Sequence, residues 1–148
     1  MATRDLTVRA IREDDLPALV AIDATASGVP RADYLRDKAS QSLDRRHPVI
    51  ALVAEHEGSV VGFLMGQVFR GEFGIREAVA IVDTVGIDPE FQGRGTGRQL
   101  MGEFLLRAKK AGAVQVRTIV DWTQWDLVGF FRTLGFTPGT GIALQRSV

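Results

Sequence analysis

The chain of 148 residues contains no cysteine, which excludes a disulfide framework, thiolate metal sites and any mechanism that holds an acyl group on a Cys. It also has no excess of charge, because 18 Lys and Arg residues balance 18 Asp and Glu residues. Nothing global therefore draws it to nucleic acid or to an anionic membrane. Its longest apolar runs, such as Val49–Ala54, are far shorter than the ~20 residues that cross a bilayer.

Targeting and linker signals are missing as well. The first twenty residues carry seven charged side chains, which break any signal-peptide pattern, so a cytoplasmic protein is the default expectation. No repeat, low-complexity tract or Pro/Gly/Ser-rich linker interrupts the sequence. We therefore expect one globular domain over residues 1–148, a length at which roughly 68–70% of the unfolded surface can be buried.

Apolar periodicity and turn residues predict six strands and four helices. The predicted strands are Leu6–Ala10, Val49–Ala54, Val60–Val68, Ala78–Ile87, Val114–Val120 and Ile142–Leu144. The predicted helices are Glu13–Asp23, Arg31–Leu43, Gly95–Gly112 and Thr123–Gly135. This order predicts an α/β protein with a mixed sheet and helices on both faces. The segment 78–120 is typical of a right-handed crossover between parallel strands.

The segment Asp88–Arg98, between a predicted strand and a predicted helix, is the most informative part of the sequence. Gly93, Gly95 and Gly97 alternate with larger residues, so backbone N–H groups can approach a ligand without obstruction. The free N–H groups and the dipole of the following helix favour an anion, most naturally a phosphate. Arg94 and Arg98 would add charge-assisted hydrogen bonds.

Two common phosphate-binding patterns do not fit this segment. No Lys-Ser or Lys-Thr follows the glycines, as a P-loop requires, so a nucleotide-binding protein of that kind is disfavoured. A dinucleotide G-x-G-x-x-G pattern also fails, because Arg98 or Leu100 occupies its last position. Glycines that merely permit a tight turn, with no ligand, stay an open alternative.

The same segment strongly resembles the GNAT acyltransferase superfamily, whose phosphate loop reads Q/R-x-x-G-x-G/A. Here it is Gln92-x-x-Gly95-x-Gly97, and a second family element, an aromatic pair followed by x-x-x-G-F, occurs at residues 130–136. The resemblance covers roughly residues 78–136; the N-terminal third matches only in the order of strands and helices. It implies the GNAT fold, with a mostly antiparallel sheet whose middle strands splay apart.

The resemblance implies acetyl-CoA as cosubstrate, no metal, and direct attack by an amine without a covalent enzyme intermediate. The residues it assigns to CoA are Val85, Gly86, Ile87, Gln92, Gly93, Arg94, Gly95, Thr96, Gly97, Arg98 and Phe131. The coenzyme's pyrophosphate would lie on the backbone amides of residues 92–97. A backbone N–H within Val85–Ile87 would stabilise the charge that develops on the thioester oxygen. The acceptor would be an amine of a small molecule, a peptide or a protein.

Phe131 departs from the family pattern, because many members have a tyrosine there that protonates the departing thiolate. A thiol has a pKa of ~8.5, so its thiolate leaves readily. An alkylammonium group has a pKa of ~10.4 and must lose a proton before it can attack. Tyr34, the only tyrosine, is a candidate replacement acid, with packing or substrate contact as its alternative. Phe131 also motivates a competing hypothesis, an acyl-CoA-binding regulatory module that has lost the chemistry.

Asp83 is the candidate general base, acting through a water, because several family members carry a carboxylate at this place. An Asp within an Ile/Val strand is unfavourable, so it requires a reason, and a buried structural hydrogen bond is the alternative. We interpret the other carboxylates as structural. Asp121 is expected to cap the next helix, Asp126 to pair with Thr123 in a capping box, and Glu72 to be solvated.

The acceptor pocket has three further candidates. Arg31 would bind a carboxylate of the acceptor or is an ordinary surface residue, and Trp122 and Trp125 pack in the core or form a pocket wall. His47 and His56 are expected at surface or turn positions and form no metal site. The oligomeric state cannot be read from the sequence; a two-fold homodimer is the commonest arrangement.

Overall fold

The computed structural model describes residues 5–29, 31–44 and 48–148. The strands, labelled β1 to β5, are Leu6–Ala10, Val49–His56, Ser59–Phe69, Ala78–Ile87 and Ala113–Thr118. The helices, labelled α1 to α4, are Leu16–Ser27, Ala32–Leu43, Thr96–Lys110 and Trp125–Thr133. Short 3-10 helices occur at Glu13–Asp15, Glu72–Gly74 and Pro89–Phe91.

The five strands form one sheet in the order β1-β2-β3-β4-β5. The first four pair antiparallel, and β5 pairs parallel with β4 after α3 has crossed between them. The turn between β2 and β3 places Glu57 and Gly58 at φ 49° and 81°, the left-handed pair that suits the twist of a two-residue hairpin. The predicted α/β class and the mixed, mostly antiparallel sheet are confirmed.

Side chains of β3 alternate between two apolar layers, as the period of two in a strand requires. Phe63 and Met65 join a cluster with Leu19 and other side chains of α1 and α2. Leu64, between them, joins a cluster on the opposite face with Phe104 and other side chains of α3 and α4. All five of these side chains are at most 1% exposed, so an apolar layer covers each face at the centre of the sheet. These layers place β4 between α1 and α3.

The first helix is longer than predicted, because it reaches Ser27 rather than ending at Asp23. The hydroxyl of Thr25 donates to the Ala21 carbonyl at 3.0 Å, and that of Ser27 to the Asp23 carbonyl at 2.6 Å. These bonds to the preceding turn are compatible with a helix, so the helix continues past its predicted end. Gly28, at φ 72°, ends the helix instead.

The predicted last strand, Ile142–Leu144, is wrong. Neither residue belongs to a strand in the structure, and they are 85% and 90% exposed. A strand exists only through hydrogen bonds to a neighbour, and in the described part of the chain β5 pairs with β4 alone. Strand β5 also ends at Thr118, two residues before the predicted end at Val120.

Packing in the core, one of the two interpretations of the tryptophans, is also wrong. Trp122 and Trp125 are 84% and 71% exposed, since both lie where the chain leaves the sheet edge and begins α4. Within residues 5–29, 31–44 and 48–148, no helix combines the length and the apolar character needed to traverse a lipid bilayer.

Candidate active site

A gap opens between the two parallel strands. The pairing of β4 with β5 ends at Val82 and Thr118, where the Thr118 hydroxyl donates to the Val82 carbonyl at 2.9 Å. Beyond this rung β4 continues to Ile87 with β3 as its partner, whereas β5 has ended. Residues 83–87 of β4 therefore border a notch in the sheet on the side that β5 leaves.

Asp83 is the extra residue of a β-bulge at the start of this notch. Gly66 of β3 is opposite Val82 and Met65 is opposite Thr84, so no residue of β3 is opposite Asp83. A Cβ on Gly66 would lie 2.3 Å from the Ile81 carbonyl oxygen, so a glycine is needed where the two strands approach. Bulges redirect side chains, and this one turns the Asp83 side chain toward α2.

The glycine-rich loop leads from the end of β4 into α3 and is fixed by its own hydrogen bonds. The Asp88 amide donates to the Val61 carbonyl at 2.9 Å, and the Gln92 side-chain amide donates to the Ile87 carbonyl at 3.1 Å. The buried Thr96 hydroxyl donates to the Phe91 carbonyl at 3.1 Å. These hydrogen bonds therefore hold the loop at both of its ends.

Helix α3 begins immediately after Gly95, whose φ of 87° places it in the left-handed region that favours glycine. The N–H groups of the first turn, at residues 96–98, have no acceptor within the helix. Arg94 and Arg98 flank this turn on the surface. The loop and helix together present backbone N–H groups and positive charge, which is an anion-binding arrangement.

The aromatic pair of α4 lies against the start of α3. A Cβ on Gly97 would lie 2.6 Å from the Phe130 ring, so Phe130 packs directly on the first turn of α3. Phe131 is 5% exposed and makes edge contacts with Phe130 and Phe136 at ring distances of 5.2 and 5.1 Å. Phe131 is thus a core residue beneath Phe130, and its predicted contact with CoA stays a prediction.

On the opposite face of the sheet, Arg31 holds the junction between α1 and α2. Its guanidinium forms two hydrogen bonds with Asp23, at 3.0 and 2.5 Å, and the Asp23 residue is 1% exposed. These bonds to Asp23 raise the pKa of Arg31 above its ordinary value, although burial opposes the shift. Arg31 therefore forms a structural ion pair, and a contact with the acceptor would use only its outward edge.

Tyr34, Thr84, Asp83 and Lys38 form one hydrogen-bonded chain between α2 and β4. The Tyr34 hydroxyl and Thr84 Oγ1 are 2.7 Å apart, and Thr84 Oγ1 donates to Asp83 Oδ1 at 2.8 Å. Lys38 Nζ contacts the other oxygen, Asp83 Oδ2, at 2.6 Å. The structure thus brings together two of the predicted site residues, Tyr34 and Asp83, and adds Thr84 and Lys38.

The remaining candidates are placed apart from this chain. Asp121 accepts from the Thr123 amide and hydroxyl, and these bonds lower the pKa of Asp121. They form a turn before α4. The residue at the N-cap of α4 is Gln124, and no side chain caps the helix there. The predicted helix cap at Asp121 and the predicted capping box of Thr123 with Asp126 are therefore wrong. Glu72 is half exposed, 3.7 Å from Arg117.

Of the two histidines, the structure describes His56. His56 is half buried at the end of β2, next to the turn that leads to β3, with its ring 5.2 Å from the Phe91 ring. Within the described residues, its Nδ1 is buried without a hydrogen-bond partner. His47 lies outside the residues that the structure describes.

A notched sheet with an anion-binding loop between β4 and α3 defines a class of acyl-CoA-dependent transferase folds. The model of the acetyltransferase (GNAT) family matches residues 9–136. The chain belongs to the GNAT acetyltransferase family.

Curated relatives carry acetyltransferase names. Mycothiol acetyltransferase of Propionibacterium freudenreichii subsp. shermanii is 30% identical over 133 residues, which are 85% of this chain and 41% of that protein. Phosphinothricin N-acetyltransferase of Alcaligenes faecalis is 36% identical over 112 residues, 70% of this chain and 55% of that protein. The chain thus spans about half or less of the length of these two relatives.

Solved structures share the fold. Aminoglycoside N-acetyltransferase AAC(6')-Iy in complex with CoA superposes with a TM-score of 0.81 at 14% identity, over 96% of this chain and 94% of that one. A transcriptional regulator from Bacillus halodurans C-125 gives a TM-score of 0.78 at 22% identity, over 97% of this chain and 99% of that one. At these identities the likeness concerns the fold alone.

Proposed function

We propose that this chain transfers an acetyl group from acetyl-CoA to a primary amine by direct attack within a ternary complex. The observation that carries the proposal is the meeting of two features at the end of β4. One is the notch at residues 83–87, and the other is the start of α3 behind Gly95. A flat strand edge can hold an extended chain, and the helix start can hold a diphosphate.

The residues present fit acetyl-CoA. Gly93 and Gly95 adopt φ of 72° and 87°, which favour glycine, so no side chain covers the backbone at these two positions, where a diphosphate would approach. The amides of residues 92–97 would hold the diphosphate, with Arg94 and Arg98 beside it. Val85, Gly86 and Ile87 would lie along the pantetheine arm. When bound, acetyl-CoA supplies an activated thioester.

Groups of this chain would then stabilise the developing charge and accept the proton of the amine. A backbone N–H within Val85–Ile87 would bind the thioester oxygen as negative charge develops on it. Asp83 would be the proton sink for the attacking amine, because it is the carboxylate at the notch and its side chain is 27% exposed. No cysteine is available for a covalent intermediate, which agrees with direct attack.

The acceptor is proposed as a primary amine of a small molecule or of a peptide. The relatives named for mycothiol, phosphinothricin and aminoglycosides support a small molecule, without selecting one. A cytoplasmic location, a single domain over residues 1–148 and a two-fold homodimer stay predictions. Sedimentation of the purified protein would test the homodimer.

The deciding experiment measures thiol release from acetyl-CoA over a panel of amines and peptides, together with CoA binding by calorimetry. We expect acceptor-dependent release, and an Asp83→Asn variant that binds CoA normally but turns over about 100-fold more slowly. Asp33→Asn is the matched control, because Asp33 is exposed and forms a surface ion pair with Arg36. CoA binding without release for any amine would instead favour a regulatory acyl-CoA-binding module.

The loop has its own control. Gly95→Ala places a side chain at φ 87° in the candidate diphosphate site, and Gly71→Ala imposes comparable strain at φ 76° in the loop before β4. We expect CoA affinity to fall at least tenfold for the first variant and to remain unchanged for the second. Equal CoA affinity in both variants would contradict the candidate diphosphate site.

A further inference from the structure

The hydrogen bonds of the chain from Tyr34 to Asp83 have a definite direction. Thr84 has a single hydroxyl hydrogen, and it is donated to Asp83 Oδ1. The contact of 2.7 Å between Tyr34 and Thr84 must therefore be a donation from the Tyr34 hydroxyl to Thr84 Oγ1. Every hydrogen in the chain points toward the carboxylate.

The two ends of this hydrogen-bonded chain are partly exposed, and its middle residue is buried. Thr84 is 4% exposed and Tyr34 is 37% exposed, so a reactant can meet the tyrosine but not the threonine. Both oxygens of Asp83 are already engaged, one by Thr84 and the other by Lys38 at 2.6 Å. At the other end Asp83 is partly exposed, but both of its carboxylate oxygens are engaged, so Tyr34 is the end that a reactant can meet without displacing Thr84 or Lys38.

From this arrangement we infer that Tyr34 takes the proton from the acceptor amine while Thr84 passes a proton to Asp83. The inference rests on the proposed acetyl transfer. An N–H bond of the attacking amine breaks and an O–H bond forms on Tyr34, whose own proton moves to Thr84 Oγ1. The proton of Thr84 moves to Asp83 Oδ1. One proton has then travelled from nitrogen to the carboxyl group, and no group has been oxidised or reduced.

Two cations position the Tyr34 ring. Arg31 lies 5.3 Å and Lys38 lies 5.9 Å from the centre of this ring, and these cation–π contacts hold the phenol beside Thr84. The partly exposed Asp83 returns its proton to water. The departing thiolate needs no acid on this route, because a thiol titrates near ~8.5. Tyr34 therefore accepts a proton here, the opposite of the donor role that the family pattern suggested.

The contact chain is testable without any acyl donor. Tyr34 is the only tyrosine, so incorporation of 3-fluorotyrosine gives one fluorine resonance that reports this position. We expect Asp83→Asn to move that resonance in the otherwise native protein and to leave it in place when Thr84→Val is also present. A resonance that moves equally in both backgrounds, or in neither, would overturn the inference.

Turnover provides the second readout. Tyr34→Phe and Thr84→Val should each lower kcat about 10- to 100-fold, with the affinity for CoA unchanged. Thr84→Ser, which keeps the hydroxyl, should stay within a few-fold of the parent. Because one chain is interrupted in each case, the double variant Tyr34→Phe/Thr84→Val should be no slower than the slower single variant.

Controls separate the relay from stability and from the proposed function. Thr7→Val removes an exposed strand hydroxyl on β1, and the kcat and melting temperature should not change. Equal loss of kcat in Thr84→Val and Thr84→Ser, or a native kcat in Tyr34→Phe, would overturn the relay. If the parent transfers acetyl to no amine, the proposed function fails, and the fluorine result still decides whether the hydrogen-bonded chain exists.

Discussion

The Phe130 ring occupies the space beside Gly97 that any side chain would need. A Cβ on Gly97 would lie 2.6 and 2.9 Å from two atoms of that ring, and Phe130 cannot retreat freely because it packs edge-on against Phe131. The aromatic motif at residues 130–136 thus packs against the glycine-rich motif at residues 92–97. The aromatic pair sets the distance between α4 and the first turn of α3, where the candidate diphosphate site lies.

Gly97→Ala should therefore weaken both stability and CoA binding. We expect a loss of about 1–3 kcal/mol in the free energy of unfolding from overpacking. CoA affinity should fall about tenfold as the turn shifts, a loss of about 1.4 kcal/mol in binding free energy. Gly102→Ala is the matched control on the same helix, with no atom within 4 Å of its Cβ. That variant should be stabilised by about 0.5–1 kcal/mol and bind CoA normally.

Removal of the guanidinium from Arg31 should cost stability, whatever its part in acceptor binding. Arg31→Met leaves the Asp23 carboxylate buried without its partner, and we expect a loss of about 2 kcal/mol in chemical denaturation. Arg36→Met on the same helix removes an exposed pair with Asp33 and should cost less than about 0.5 kcal/mol. Equal losses in the two variants would mean that burial of Asp23 does not set the strength of its ion pair.

Local patterns in the sequence were sufficient to predict the elements that form the candidate CoA site. The strand Ala78–Ile87, the glycine-rich loop and the apolar stripe of α3 are determined by neighbouring residues, and their predicted bounds agree with the structure to within two residues. The tail at residues 142–144 shows the limit of such patterns. Its apolar side chains resemble a strand, but pairing depends on a neighbour that the local sequence does not specify.

The candidate acceptor site depends on contacts between residues that are distant in the sequence. Tyr34 and Thr84 are 50 positions apart, and Lys38 and Asp83 are 45 apart, so no motif reveals these pairs. One feature of the sequence could have indicated Thr84 as a site residue, namely its place beside an Asp within an Ile/Val strand. The bulge at Asp83 depends on the register between β3 and β4, which the sequence did not provide.

The exposed tryptophans allow the remaining pocket prediction to be tested. Trp122→Ala and Trp125→Ala should each change the free energy of unfolding by about 0.5 kcal/mol or less, because neither side chain is buried. If they form a wall of the acceptor pocket, KM for the amine rises in these variants while CoA affinity stays the same. A large loss of stability would contradict the exposed placement, and unchanged KM in both variants would remove them from the pocket.

The lowered pKa of Asp15 predicts how the free energy of unfolding depends on pH. Burial alone would raise its pKa, but two bonds of 2.8 Å from the Arg9 guanidinium and one of 2.7 Å from the Arg12 amide outweigh it and lower the pKa. A carboxylate with a lowered pKa in the folded state stabilises the fold above its unfolded value near ~3.9, and this contribution is lost as pH falls through the folded value.

Asp15→Asn should therefore cost about 2 kcal/mol at pH 7, and the difference from the parent should shrink steadily below about pH 4. Urea denaturation between pH 3 and pH 7 measures both curves. Asp14→Asn, one residue away and exposed, is the control and should follow the parent at every pH. A difference that stays constant, or grows as the pH falls, would show that the ionised carboxylate of Asp15 does not supply this stability.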